Sequence, residues 1–67
     1  MKINKVNIEI STLANKERTY LYNEMMSFAK EHQISGQFGN YFINLSGVAE
    51  NLLKELEDKG IKFMRIG

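Results

Sequence analysis

Gln33-Ile-Ser-Gly-Gln-Phe-Gly-Asn-Tyr-Phe-Ile-Asn-Leu45 decides how this chain is read. Two short β-type runs, Ile34 to Phe38 and Tyr41 to Leu45, meet at Gly39-Asn40. Gly-Asn is a favoured two-residue hairpin loop, because Gly accepts the positive φ that a type II′ turn requires at its first position. In the second run Tyr41, Ile43 and Leu45 share one face, which leaves Phe42 and Asn44 on the other.

Helical patterns flank this hairpin. Upstream, Lys16 to Gln33 places Leu21, Met25 and Phe28 on one face, with Tyr22, Met26 and Ala29 in the adjoining row. Ser11, Thr12 and Asn15 are the candidate N-caps of this helix. Downstream, Val48, Leu52, Leu53 and Leu56 form the apolar stripe of a second helix. Ser46 is its expected N-cap, Glu50 suits the dipole of its first turn, and Lys59-Gly60 reads as its end.

A strand-like run closes each end of the chain. Val6, Ile8 and Ile10 alternate with Asn7 and Glu9, the pattern of a half-buried strand. Ile61 to Ile66 is a further short strand, with Phe63 inward and Lys62 and Met64 outward. The order β-α-β-β-α-β predicts one α+β domain over residues 1–67, a four-stranded antiparallel sheet with both helices on one face. That is the ferredoxin-like plait, with spatial strand order 4-1-3-2. The alternative takes Gln37 to Leu45 as one strand and gives a three-stranded βαβαβ sheet, at the cost of placing Gly-Asn mid-strand.

Composition narrows the function classes. Sixty-seven residues lie near the lower size limit for an unstapled domain, and with no cysteine there is no disulfide or thiolate metal site to add stability. A reducing, cytoplasmic setting is therefore expected. The net charge of +1, from nine basic and eight acidic residues, is not the footprint of a nonspecific DNA binder. Met1-Lys2-Ile3-Asn4-Lys5 lacks the apolar run of a signal peptide, and no stretch approaches the apolar length of a membrane span. Asn and Lys, seven of each, suit an AT-rich genome such as that of many low-GC bacteria and their phages, and a phage or other mobile element is the expected source.

Catalytic groups are few. His32 is the only histidine and lies at the expected C-terminus of the first helix, where a cation complements the dipole. Glu55, Glu57 and Asp58 cluster on the second helix, where Lys54 and Lys59 can neutralise them as a solvated helix face. Ser46-Gly47 at a helix start lacks the Lys and Ser/Thr of a phosphate loop. No catalytic residue, metal ligand or cofactor site is assigned.

Gly36-Gln37-Phe38-Gly39-Asn40-Tyr41-Phe42-Ile43 resembles the aromatic signature of RNA-recognition motifs, which share the βαββαβ plait and stack bases on the open sheet face. The resemblance implies single-strand binding around Phe42, with Lys5, Lys62 and Arg65 nearby. It departs where Gly39-Asn40 divides aromatics that the family keeps in one strand. Gly47 to Ile61 is also similar to the helix-then-strand unit of ACT-type regulatory domains, which bind small effectors, and no ligand site is carried over from it.

Surplus apolar surface points instead to a partner protein. Tyr and Met are enriched in interfaces, and the first helix has more of them than one sheet face needs. Tyr20, Tyr22 and Met26 on that helix, with Phe42 and Met64 on the open sheet face, are the expected partner-binding residues. The expected function is a small non-enzymatic protein-binding module, a cytoplasmic regulator or inhibitor, whose partner is another protein or a second copy in a homodimer. Single-stranded nucleic acid on the open face is the alternative.

Overall fold

In the computed structural model, which describes residues 4–66, the chain is α+β. Residues 1–3, on which the reading of the chain's start partly rests, lie outside the described residues. The elements are β1 (Asn4–Glu9), α1 (Asn15–His32), β2 (Ser35–Phe38), β3 (Phe42–Val48), α2 (Glu50–Asp58) and β4 (Met64–Arg65). The four strands form one antiparallel sheet in the order β2-β3-β1-β4.

Alternation builds the core. Val6, Ile8 and Ile10 from the first strand run and Ile43 and Leu45 from β3 are all buried, and they meet Met25 and Phe28 of α1 and Leu52, Leu53 and Leu56 of α2 in a single cluster. The reverse face of β1 and β3, with Lys5, Asn7, Glu9, Phe42, Asn44 and Ser46, has no residue in that cluster. Both helices therefore serve one face, and the other is left open.

The hairpin turn sits one residue later than Gly39-Asn40. The Gly39 amide donates to the Phe42 carbonyl at 2.9 Å, so Asn40 and Tyr41 form the tip and Gly39 does not take a positive φ. Tertiary bonds explain the shift. The Ile10 amide donates to the Tyr41 carbonyl at 3.0 Å, and the Tyr22 hydroxyl donates to the Gly39 carbonyl. Tyr41 is thereby exposed at the tip and does not join Ile43 and Leu45 inward.

β3 continues through Ser46, which is a strand residue and not a helix cap. Between the pairs Lys5–Ser46 and Asn4–Val48, β3 inserts one extra residue, Gly47, at φ +81°. This bulge changes the phase of the strand, so Val48 points into the core although Leu45 does too. A residue other than Gly is strained at that φ.

The helix starts use no side-chain cap. Ala14 and Ala49 occupy the cap positions, and neither Ser11, Thr12, Asn15 nor Ser46 supplies a capping bond. At α1 the connection is held by Arg18, whose guanidinium donates to the carbonyls of Leu13 and Ser11, each at 3.2 Å. Both helix ends are Schellman motifs. Ile34 donates to Ala29 and Gln33 to Lys30 at α1, while Ile61 donates to Leu56 and Gly60 to Glu57 at α2. Gly60 takes φ +78°, as its C′ position requires, whereas Gln33 takes φ 55° and so ends the helix one residue short of the expected span. β4 keeps only Met64 and Arg65 of the expected Ile61–Ile66 strand.

Candidate protein-binding surface

The open sheet face is a ladder of cross-strand rows fixed by the register. One row runs Gln37, Asn44, Asn7, Met64 across β2, β3, β1 and β4. A second runs Ser35, Ser46, Lys5, and Ile66 adjoins it through its amide bond to the Lys5 carbonyl at 2.9 Å. Phe42 lies beside Glu9 in a third. The middle of this face is uncharged amide and hydroxyl, with Lys5 at one end of β1 and Glu9 at the other. Asn44 Oδ1 is enclosed there without a hydrogen-bond partner among the described residues.

Apolar side chains stand over that polar floor. Met64 is 63% exposed, Ile66 49% and Phe42 39%. Phe42 is the least exposed because its ring lies across Gly39, where an added Cβ would come within 3.0 Å of it. Gly39 is thus present for close approach of a ring and not for a special turn conformation.

The five residues expected to bind a partner fall in three places. Phe42 and Met64 share the open face but are separated by β1. Tyr20, exposed on α1, edges a hollow of about 750 Å³ lined also by Ile8, Leu13, Leu21 and Ile61. That hollow follows from helix length. α1 has 18 residues and α2 only 9, so α2 is about 14 Å the shorter and leaves part of α1 uncovered. Tyr22 and Met26 lie on the opposite, hairpin-facing flank of α1. Tyr22 is half-buried, packs edge-on against Phe38 at 6.2 Å between ring centroids and gives its hydroxyl to Gly39, which makes it a brace for the hairpin. Met26, one turn on, is 51% exposed.

Asn4, Glu50 and Arg65 form a polar cluster that the strand pattern beginning at Val6 leaves out. Asn4 is buried, and its amide donates to the Val48 carbonyl at 3.0 Å and to Glu50 Oε2 at 2.8 Å. Arg65 donates to Asn4 Oδ1 at 3.1 Å and pairs with Glu50. The signal was parity: extending Val6, Ile8, Ile10 back two residues puts Asn4 on the inward face. The cluster joins β1, α2 and β4.

His32 ends α1, with its ring against Phe28 and Nε2 3.4 Å from Glu55 Oε2. Among the described residues no group of three or more His, Cys, Asp or Glu side chains is placed to hold a metal, and no helix is long and apolar enough to cross a membrane. No protein-family model, curated protein or solved structure matches this chain.

Proposed function

We propose that this chain is a small non-enzymatic protein-binding module, a regulator or inhibitor of the protein that docks on its open sheet face. Its fold is read as a ferredoxin-like plait. Counted from β4 the strand order is 4-1-3-2, each neighbour is antiparallel, and a helix follows both β1 and β3. The cytoplasm is the proposed setting, since the chain holds no cysteine.

One observation supports the binding role most directly. Phe42, Met64 and Ile66 stand exposed on a face whose central side chains are uncharged, and an interface centre is likewise depleted in charge and enriched in aromatic residues and Met. Nucleic acid fits it less well. Phe42 is the sole aromatic among the outward residues of the paired strands, and Glu9 lies directly beside it.

The test removes the apolar groups and keeps the fold. In a Phe42→Ala/Met64→Ala chain the fold should persist by circular dichroism, with a loss of about 1–2 kcal/mol where the Phe42 ring leaves Gly39. Capture of the partner from cells that naturally hold the chain should be lost, while Tyr20→Ala captures it as before. Unchanged capture by the double variant overturns the reading. Binding of a single-stranded oligonucleotide that weakens steeply with salt replaces it with the nucleic-acid alternative.

A further inference from the structure

We propose that β2 pairs with β2 of a second copy, antiparallel about a two-fold axis at Gln37, so that two sheets join into one of eight strands. Among the described residues β2 is a free edge, bonded to β3 on one side only. The Gly39–Phe42 bond sets the phase of that ladder, so Gln37 and Ser35 also face β3, and Gly36 and Phe38 turn their N–H and C=O groups outward. Around Gln37, Gly36 of one copy lies opposite Phe38 of the other, and the two symmetric pairs make four backbone hydrogen bonds.

The edge is unguarded. Natural edge strands are protected by Lys, Pro, inward charges or bulges. None of the nine basic and eight acidic residues lies between Gln33 and Ala49, the sequence contains no Pro, and the bulge falls in β3. An uncharged edge meets its own copy without repulsion. The other edge differs. β4 has two residues, includes Arg65 and follows Lys62, so head-to-tail pairing of β2 with β4 is disfavoured. The association is therefore isologous and closes at two copies instead of running on as a filament. Above the joint, the 51%-exposed Met26 on the hairpin-facing flank of α1 comes alongside the same flank of the second helix.

Area points the same way, supposing the open face binds a partner as proposed above. The strands hold 6, 4, 7 and 2 residues, so at about 3.3 Å per residue and 4.8 Å per strand one open face presents about 300 Å². A standard interface buries about 800 Å² per partner, and two faces side by side come closer to that than one face does.

Sedimentation equilibrium on the full chain should give twice the 7.8 kDa monomer mass at high concentration. Gln37→Lys puts like charges opposite each other at the axis and should weaken the dimer about fivefold or more. Mixing Gln37→Lys with Gln37→Glu should restore it, whereas Phe42→Ala should leave it unchanged even though capture of a heterologous partner is lost. Amide exchange at Gly36 and Phe38 should slow as concentration rises. A monomer at all concentrations, a dimer insensitive to Gln37→Lys, or a dimer lost in Phe42→Ala overturns the proposal; in the last case the sheet face is the contact. Restoration by the charge-swapped mixture supports it even if either variant alone is less stable.

Discussion

Asn4→Ala should destabilise the protein far more than a terminal-strand polar substitution ordinarily does. Asn4 is 2% exposed and makes three hydrogen bonds, to Val48, Glu50 and Arg65. Glu50 and Arg65 are exposed and still have each other and water, so losing their bonds to Asn4 costs little. The Val48 carbonyl loses a donor beside a fully buried side chain, and an unmade buried bond costs about 1–3 kcal/mol. With the lost packing, the sum is about 2–3 kcal/mol. A chain of this length has roughly 3–10 kcal/mol in total, and each kcal/mol moves Tm by about 4–8 °C, so a drop of about 10–20 °C is expected. Asn4→Asp should be at least as harmful, because it turns an oxygen toward the Val48 carbonyl and the Glu50 carboxylate. Urea unfolding followed by circular dichroism, at one protein concentration, measures both. An Asn4→Ala loss under about 0.5 kcal/mol, or Asn4→Asp more stable than Asn4→Ala, refutes the assigned bonding.

Other substitutions test the hairpin brace and the helix ends. Tyr22→Phe keeps the edge contact with Phe38 but removes the bond to the Gly39 carbonyl; a loss of about 1 kcal/mol is expected, with faster amide exchange around residues 39–42. The two Schellman motifs should respond with opposite signs. Gln33→Gly relieves a left-handed non-glycine residue and should raise stability by about 0.5–1 kcal/mol, whereas Gly60→Ala, which meets no neighbour within 4 Å, should lower it by about 1 kcal/mol through φ alone. Thermal melts of both variants decide the matter.

These positions also mark what the sequence makes legible. Strand alternation at Val6, Ile8 and Ile10 and the helical spacing of Met25, Phe28, Leu52, Leu53 and Leu56 are properties of one element facing one core, and they are readable without knowing the neighbours. The turn at Asn40-Tyr41 is not, because Tyr22 and Ile10, distant in the chain, supply the bonds that place it. The helix caps fail for a similar reason: Arg18 closes the α1 entry from inside the helix, and the bulge at Gly47 extends β3 through Ser46, the residue expected to cap α2. Local propensity names residues able to cap, but the register of a remote strand decides whether they stand at a helix end. Among the candidate binding residues, exposure at Phe42 and Met64 follows from parity. The brace role of Tyr22 does not, since a Tyr at a helix edge looks the same whether its hydroxyl meets water or a carbonyl.

That brace bears on binding itself. A flexible hairpin would lose conformational freedom on docking, about 1–2 kcal/mol for each backbone residue that becomes fixed. Here the tip is held at both carbonyls, by Tyr22 at Gly39 and by Ile10 at Tyr41, and Phe42 is seated over Gly39 on the open face. Gly36 plays the same part on the core face, where the Phe38 ring lies within 2.8 Å of any added Cβ. The two glycines let two aromatic rings approach opposite sides of one hairpin closely, so the edge and the face it offers are ordered before anything binds. Preorganisation of this kind lowers the cost of association without adding a contact. It also explains how a stretch with no charged residue stays usable in so small a domain: the uncharged hairpin is anchored by α1, and α1 and α2 contribute charged solvent-exposed faces.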